Sequence, residues 1–287
     1  MLNTLSNQER AEVLTQALPY IKRYTGQTVV IKYGGNAMVN EQLKQQVTED
    51  IVFLWLIGVR VVLVHGGGPE INDMMQRLGK VPVFADGLRV TDKETVDIVQ
   101  MVLAGKVNKT LVSLLESKGG RAIGISGMDG RLIECCVKDE KLGYVGEITK
   151  IRKEPVIDLL EKGYIPVIST LGCDREGNVY NINGDTAAAA IAGALGAKRF
   201  VLMTDVAGIM RDKNDPETLI PEVSLSEIDS LLEEGVISDG MIPKVNCCAD
   251  AIRKGVQKVV IMDGRVPHAI LMELLTNEGA GTLIKES

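Results

Sequence analysis

The chain has 287 residues, of which 45% are hydrophobic and 24% are charged, with 30 glycines against 9 prolines. This composition is typical of a globular protein and excludes a disordered chain, a collagen-like fibre and a disulfide scaffold. The net charge is −6, from 32 basic and 38 acidic side chains, and no basic block is long enough to follow a phosphate backbone, so nucleic acid is excluded as a partner.

The sequence also argues against membrane insertion and export. The longest apolar stretch, residues 51–64, is interrupted by Arg60 and is shorter than the roughly 20 residues that a membrane span requires. The N-terminal residues include acids and glutamines where a secretory signal has a basic and then an apolar segment. The five cysteines are odd in number and form no C-x-x-C, so neither a disulfide framework nor a zinc site is predicted. We expect a cytoplasmic protein.

Short runs of β-branched residues alternate along the chain with segments of helical periodicity. Strands are predicted at residues 28–32, 60–64, 121–125, 164–169, 199–203 and 258–262. Helices are predicted near residues 40–57, 69–79, 92–118, 153–162, 185–196, 224–235, 243–254 and 267–275. Continuously apolar strands separated by helices indicate an α/β fold with a parallel sheet that is covered on both faces. We expect one continuous sheet with two lobes that meet near residues 170–175.

Two hairpins interrupt this alternation. Asp129-Gly130 predicts a hairpin turn beside residues 131–150, and a second hairpin is predicted around residues 175–178.

The first 25 residues precede the first strand and predict a helix. Ser6 and Glu9 match a capping box, and Pro19 is expected to kink the helix. One face is apolar, formed by Leu14, Ala17, Leu18 and Ile21. This face predicts either a helix that packs on its own domain or an arm that pairs with another subunit.

Two glycine loops follow the first two predicted strands. Lys32 is followed by Gly34-Gly35, and the second strand by residues 66–68 and Pro69. Glycine lets backbone N–H groups close on an anion, and a helix N-terminus adds to the attraction. Two such loops side by side predict a phosphate site. Neither the P-loop motif nor G-x-G-x-x-G after the first strand is present, which argues against a P-loop ATPase and a Rossmann dehydrogenase.

Charged residues in three further segments are candidates for the same site. Asp185 begins a predicted helix and is either an N-cap or a functional carboxylate. Lys244 follows Pro243 where the helix dipole disfavours a cation, which indicates an anionic partner or a solvated side chain. Arg89 suits a carboxylate ligand held by two hydrogen bonds, or a structural salt bridge. For the only histidines, His65 and His268, packing is the default interpretation.

The motifs together resemble the amino acid kinase family, most closely its N-acetyl-L-glutamate kinases. The resemblance runs from about Thr28 to the C-terminus and rests on VVIKYGG, VHGGGPEIN, DGLRVT, NKT, NINGD, DVAGI and SDGMIPKVN in this order. It implies a three-layer αβα sandwich around a mainly parallel open sheet, with an extra N-terminal helix. It also implies an oligomerisation helix at residues 1–25, an amino-acid-substrate lobe at 26–172, and a nucleotide-binding lobe with a C-terminal regulatory segment at 173–287.

The resemblance also implies roles for individual residues. Lys32 and Lys244 match lysines that stabilise the transition state, and Asp185 the residue that organises them. The substrate positions are matched by Gly67, Gly68, Arg89 and Asn181. Gly35 matches a loop that touches the transferred phosphoryl group, and Asp205 a position near the nucleotide ribose. Gly184 departs from the family, which usually has alanine there.

The implied reaction is phosphorylation of the N-acetyl-L-glutamate side-chain carboxylate by ATP with Mg²⁺ in arginine biosynthesis. A carboxylate with a pKa of about 4.3 is ionised at neutral pH and needs no general base. Two further features resemble arginine-inhibited members, which form hexamers from dimers: the N-terminal helix, and His268 with Glu278, which match an arginine site. Another amino acid or carbamate kinase, or a non-catalytic sensing member, remains as an alternative.

Overall fold

The computed structural model describes residues 6–287, apart from the side chains of residues 36 and 37. The strands are β1 (Thr28–Tyr33), β2 (Arg60–His65), β3 (Phe84–Ala85), β4 (Leu88–Arg89), β5 (Ala122–Ser126), β6 (Ile133–Val137), β7 (Gly146–Ile151), β8 (Ile165–Ser169), β9 (Leu171–Cys173), β10 (Val179–Asn181), β11 (Arg199–Thr204), β12 (Glu222–Ser224), β13 (Lys258–Asp263) and β14 (Gly281–Lys285). The α-helices are α1 (Asn7–Gln16), α2 (Leu18–Tyr24), α3 (Glu41–Leu56), α4 (Gly68–Arg77), α5 (Lys93–Gln100), α6 (Asn108–Ser117), α7 (Glu154–Glu161), α8 (Gly184–Leu195), α9 (Ile228–Glu233), α10 (Met241–Arg253) and α11 (Ala269–Leu275).

The central sheet has eight strands in the order β12-β14-β13-β11-β1-β2-β8-β5. The six strands from β13 to β5 are mutually parallel, whereas β14 is antiparallel to β13. Val29 and Ile31 of β1 lie in one hydrophobic core and Val30 in the other, because successive side chains of a strand point to opposite faces. Helices cover both cores, so the predicted three-layer α/β fold is confirmed.

A second sheet contains the predicted hairpins, in the strand order β10-β9-β6-β7. The hairpin around residues 175–178 is confirmed, since β9 and β10 pair antiparallel on either side of it. The turn predicted at Asp129-Gly130 is wrong, because β6 pairs with β7 and residues 138–145 connect them. The Oδ2 atom of Asp129 accepts hydrogen bonds from the N–H and the hydroxyl of Ser126, at 2.6 and 2.9 Å. Asp129 therefore caps the end of β5 where the chain leaves the central sheet.

The N-terminal segment consists of two helices that differ in their packing. The capping box of Ser6 and Glu9 is present, and Pro19 lies in the first turn of α2, where it separates α2 from α1. No residue of α1 is buried, and Leu14 is 73% exposed, whereas Tyr24 at the end of α2 is 2% exposed. α2 thus packs on its own domain, whereas α1 leaves Val13 and Leu14 exposed, and the arm that pairs with another subunit stays a prediction.

A continuous helix of 25 residues runs from Lys93 to Ser117 and contains α5, α6 and the π-helical turns of Met101–Val107 between them. By length and composition alone it could cross a membrane. Most of its large apolar side chains, including Val99, Leu103 and Leu111, are buried in the core, whereas Met101 is exposed. The helix therefore serves as one of the covering layers of the fold.

Gly127 lies where the chain passes from the central sheet to the second sheet, and its replacement by alanine should destabilise the fold. A Cβ atom there would lie 1.9 Å from the Leu171 carbonyl oxygen, a backbone atom that cannot move aside easily. We expect Gly127→Ala to lower the free energy of unfolding by about 1–3 kcal/mol, as overpacking does. The control is Gly105→Ala, which meets nothing within 4 Å and should be neutral or stabilising. Urea unfolding compares the two, and equal stability would contradict the close approach.

Candidate active site

Three cavities form one continuous cleft. The glycine cavity, of about 130 Å³, is lined by residues 66–68 and Arg89. The central cavity, of about 380 Å³, shares residues 87–88 with it and is also lined by Asp185 and Lys244. The outer cavity, of about 290 Å³, shares Lys244 with the central one and has a mainly apolar wall. This is the edge at which open parallel sheets bind ligands, beyond the carboxyl ends of their strands.

An ion pair between Lys32 and Asp185 joins the end of β1 to the first turn of α8. The Nζ and Oδ1 atoms are 3.0 Å apart, and both side chains are largely buried. The N-cap interpretation of Asp185 is wrong, because the Oδ1 atom of Asn183 accepts the N–H groups of Asp185 and Thr186, each at 3.0 Å. With Asn183 as the cap, the carboxylate of Asp185 is left to hold the ammonium group of Lys32.

Lys244 lies in the first turns of α10 and lines both the central and the outer cavity. Its only hydrogen bond in the described part of the chain goes to the Gly240 carbonyl oxygen, at 3.5 Å, and no carboxylate there pairs with it. A cation near a helix N-terminus is disfavoured by the helix dipole. The position therefore suits an anion that binds in the cleft.

Arg89 is the buried cation of the glycine cavity. It is 6% exposed, and its Nη1 and Nη2 atoms lie 3.3 Å from the Met75 sulfur and the Gly68 carbonyl oxygen respectively. Its guanidinium group stacks on Phe84 at 4.8 Å, and no described carboxylate forms a salt bridge with it, so the structural salt bridge is not observed. Burial lowers the pKa of Arg89, but a guanidinium stays charged in proteins. A buried cation without a counter-ion indicates a site for an anionic ligand.

Three glycines of the two loops lie close to neighbouring side chains, whereas Gly66 and Gly68 face open space. A Cβ atom on Gly34 would lie 2.6 Å from Lys32 Nζ, and one on Gly67 would lie 2.7 Å from a methyl carbon of Leu103. Gly35 has a φ of 70°, which favours glycine, and a Cβ there would approach the Asp205 carboxylate to 2.9 Å. The loop after β1 is thereby held against the residue that follows β11.

Other predicted residues divide between the cleft and a remote segment. Asn181, at the end of β10, lines the glycine cavity, and its Nδ2 atom lies 3.4 Å from Thr91 Oγ1. His268 and Glu278 flank α11 and line none of the three cavities. The Nδ1 atom of His268 lies 2.6 Å from Asp50 Oδ1, and burial raises the pKa of Asp50 to about 6 although the His268 contact lowers it. Glu278 is exposed.

A polar network that the sequence did not predict joins the N-terminal helices to this remote segment. Arg199 donates from Nε and Nη2 to the Tyr24 hydroxyl, at 3.2 and 2.7 Å. Its Nη1 atom lies 3.4 Å from Glu273 Oε1, and Glu273 Oε2 accepts the N–H of Ala280 at 3.0 Å. Tyr24 and Arg199 are 175 positions apart, so no local motif signals the contact.

The model of the amino acid kinase family matches residues 27–263. The chain belongs to the amino acid kinase family. This amino acid kinase is similar to the acetylglutamate kinase of Clostridium beijerinckii, with 52% identity over 283 residues that cover 98% of this chain and 99% of that protein. It is also similar to the acetylglutamate kinase of Thermosynechococcus vestitus, with 50% identity over 281 residues that cover 98% and 95%.

Solved structures agree with the fold of this amino acid kinase. The N-acetylglutamate synthase from Neisseria gonorrhoeae, complexed with coenzyme A and N-acetyl-glutamate, superposes with a TM-score of 0.83 at 26% identity over 96% of this chain. This kinase spans 63% of the synthase chain. The carbamate kinase from Giardia lamblia bound to AMP-PNP gives a TM-score of 0.65 at 20% identity, over 92% of this chain and 100% of that one, and supports the fold alone.

Gly184 stands where the family usually has alanine, and restoring the alanine should not harm the fold. A Cβ atom there would meet Lys32 Cε at 3.5 Å and Gly66 Cα at 4.0 Å, which are ordinary contacts, and the glycine has no positive φ. We expect Gly184→Ala to raise the free energy of unfolding by about 0.4–1 kcal/mol, because alanine restricts the unfolded chain. Urea unfolding with Gly105→Ala as the helical reference tests this. A loss of stability would mean that the loop beside Asp185 needs the freedom of glycine.

Proposed function

We propose that this kinase transfers the γ-phosphoryl group of ATP to the side-chain carboxylate of N-acetyl-L-glutamate. A carboxylate oxygen bonds to the γ-phosphorus, the bond to the β–γ bridging oxygen breaks, and ADP leaves with N-acetyl-L-glutamyl 5-phosphate, a step of arginine biosynthesis. The observation that carries the proposal is the buried Arg89, without a carboxylate partner among the described residues, in a small cavity that adjoins the one lined by Asp185 and Lys244. Identity of about 50% with acetylglutamate kinases over nearly the whole chain supports the same substrate.

The two ends of the substrate need different partners. Arg89 would hold the carboxylate that does not react, because its fork suits two parallel hydrogen bonds. The reacting carboxylate then points toward the central cavity, beside the N–H groups of Gly67 and Gly68. Asn181 lines the glycine cavity beside Arg89, and its side-chain amide would form a hydrogen bond with the acetamido group.

The chemical difficulty is repulsion between two anions. The nucleophile is ionised at neutral pH, so Asp185 acts as a positioner of Lys32 and not as a base. Lys32 from β1 and Lys244 from α10 would neutralise the charge that develops on the transferred group and the leaving group. Mg²⁺ would arrive bound to the phosphates of ATP and neutralise part of their charge; the described residues contain no cluster of three or more His, Cys, Asp or Glu suited to a metal ion.

The outer cavity suits the nucleotide. Its wall is formed by apolar side chains against which a purine can pack: Val206, Ile209, Met210, Val236 and Met241. Asp205, which directly precedes Val206 of this wall, would lie near the ribose, and Gly35 would contact the transferred phosphoryl group. Residues 26–172 would form the amino-acid-substrate lobe and residues 173–287 the nucleotide-binding lobe of a cytoplasmic protein. The N-terminal segment, residues 1–25, would serve oligomerisation; its residues 1–5 lie outside the described part of the chain.

Arginine inhibition is the finer part of the proposal. His268 and Glu278 would bind arginine, with Glu278 as the carboxylate partner of its guanidinium group. The network from Tyr24 through Arg199 to Glu273 gives a physical connection between the N-terminal helices and this segment. The exposed apolar face of α1 would join dimers into a hexamer. Arginine would inhibit by binding one conformation of this hexamer more tightly than another.

Loss of Lys244 tests the reaction directly. The wild-type protein should form ADP only when N-acetyl-L-glutamate and ATP with Mg²⁺ are both present. Lys244→Met should lower kcat by on the order of 10² or more and affect KM less, because the lost charge matters most in the transition state. Lys254→Met, at the exposed end of the same helix, is the matched control. Near-normal turnover of Lys244→Met would refute the two-lysine mechanism. Carbamate-dependent activity of the wild type would refute the proposal that N-acetyl-L-glutamate is the substrate.

Arg89→Lys should raise KM for N-acetyl-L-glutamate and leave KM for ATP nearly unchanged, because a point charge cannot replace a bidentate fork. Arg77→Lys removes an exposed arginine of α4 and serves as the control. Steady-state kinetics with each substrate varied distinguishes the outcomes. An equal loss for both substrates would assign Arg89 a structural role.

Deletion of residues 1–16 should convert a hexamer to an active dimer that loses much of its arginine inhibition. Deletion through residue 25 would also remove Tyr24 and leave the buried Arg199 without that partner, so the shorter truncation is the cleaner test. Glu278→Gln should weaken inhibition with little effect on uninhibited turnover. Light scattering and arginine titration measure both effects. A full-length dimer, or a truncated protein of unchanged sensitivity, would contradict the proposed arm.

A further inference from the structure

His65 ends β2 directly before the glycine loop and is completely buried. Its Nδ1 atom lies 2.8 Å from the Gly66 carbonyl oxygen, and its Nε2 atom lies 3.1 Å from Nδ2 of Asn108. The proposed mechanism uses neither His65 nor Asn108. His65 nevertheless contacts the backbone that lines the glycine cavity, and Asn108 contacts His65 from the other side of its ring.

The hydrogen bonds determine which tautomer His65 adopts. The amide nitrogen of Asn108 can only donate, so Nε2 must accept and the proton of a neutral ring lies on Nδ1. Nδ1–H then donates to the Gly66 carbonyl. Burial lowers the pKa of His65 to about 4, although the Gly66 contact opposes this shift and Lys109 adds to it, so the ring is neutral at neutral pH.

Asn108 is itself held in one orientation. Its Nδ2 atom also lies 2.9 and 3.2 Å from the carbonyl oxygens of Val167 and Ile125, so its two hydrogens are shared among three acceptors. Its Oδ1 atom accepts from Lys109 Nζ at 3.0 Å, and a Cβ atom on Gly124 would lie 1.9 Å from this oxygen. A flipped amide would set Oδ1 against two carbonyl oxygens and is therefore excluded.

The fixed Gly66 carbonyl determines the direction of the next N–H group. No described peptide bond is cis, so the N–H of Gly67 points opposite to the Gly66 carbonyl. The carbonyl faces the buried His65 ring, so the N–H of Gly67 points away from that ring, and Gly66 and Gly67 both line the glycine cavity. Among the described residues, no backbone or side-chain acceptor pairs with the N–H of Gly67.

We propose that His65 is a positioning residue for phosphoryl transfer: its Nδ1–H, set by Asn108, holds the Gly66–Gly67 peptide so that the N–H of Gly67 donates to the reacting group. This inference rests on the proposed function for the identity of that group. Donors fixed before the reaction act where charge develops without reorganising, which is why one such donor is worth about 10²–10³ in kcat.

Two substitutions separate the two hydrogen bonds of the ring. His65→Asn places an amide N–H near the position of Nδ1 and so keeps the donor to Gly66. His65→Gln places an amide oxygen near the position of Nε2 and so keeps the acceptor for Asn108, but loses the donor. Each variant loses one hydrogen bond and part of the ring volume, so a merely structural role predicts similar losses for both.

We expect His65→Gln to lower kcat by about 10²–10³, whereas His65→Asn stays within roughly tenfold of the wild type, with KM for ATP little changed in either. Thermal unfolding of both variants monitors their stability. Equal losses of kcat in the two variants, or a greater loss in His65→Asn, would overturn the proposal.

Nuclear magnetic resonance of the wild-type protein tests the inference without activity or substitution. The chain has only two histidines, so ¹⁵N-histidine labelling should show a buried, neutral ring with its proton on Nδ1, and His268 as the second signal. Glycine labelled with ¹³C at the carbonyl and ¹⁵N at the amide selects the only Gly-Gly peptides, whose amides belong to Gly35, Gly67, Gly68 and Gly120.

Addition of AMP-PNP, Mg²⁺ and N-acetyl-L-glutamate should move the Gly67 amide signal and leave that of Gly120 in place. A proton on Nε2, a charged His65 ring, or an unmoved Gly67 signal despite movement at Gly35 would overturn the inference. If neither the Gly35 nor the Gly67 signal moves and no turnover is measured, the failure lies with the proposed function, while the tautomer still tests the inference itself.

Discussion

The ion pair between Lys32 and Asp185 is the contact on which the cleft depends. Lys32 is the second-last residue of β1 and Asp185 is the second residue of α8, so their 3.0 Å contact joins the two halves of the sequence at the sheet edge. A largely buried pair of this kind adds little net stability, since the loss of hydration offsets the attraction. Its effect is positional. The pair holds the ammonium group of Lys32 at the edge of the sheet where the two glycine loops and Lys244 of α10 also lie.

The remaining charges of the cleft are unbalanced in a way that fits two anionic substrates. Arg89 is buried without a carboxylate, and Lys244 lies at a helix start without one. Arg89 lowers the stability of the ligand-free protein, because a buried charge without a counter-charge keeps little of its hydration. Bound substrates would supply the missing counter-charges. Stability and catalysis are thus linked, and ligands should stabilise the fold by about 2.7 kcal/mol at 100 times their Kd.

Local sequence patterns predicted most of the fold and identified many of the candidate site residues. Uninterrupted apolar runs such as residues 61–64 identified the buried parallel strands, and the ends of these strands identified Lys32 and the glycine loops. Predictions failed where local hydrogen bonds differed from those expected. Asn183 caps α8 in place of Asp185, and the Asp129 carboxylate accepts a hydrogen bond from Ser126 and does not close a hairpin.

Long-range polar contacts could not be predicted, because no spacing encodes them. Asn108 reaches His65 across 43 positions, and Arg199 reaches Tyr24 across 175. The folded sheet brings these partners together, and each side chain alone is compatible with ordinary packing. These contacts also have the clearest consequences for function: one lies under the glycine loop and the other joins the two ends of the chain.

The most direct test of the account is a crystal structure of the protein with AMP-PNP, Mg²⁺ and N-acetyl-L-glutamate bound together. The account predicts that the γ-phosphoryl group lies between Lys32 Nζ and Lys244 Nζ, in line with the side-chain carboxylate of a substrate whose other carboxylate is held by Arg89. A γ-phosphoryl group remote from both lysines, or a substrate bound away from Arg89, would contradict it.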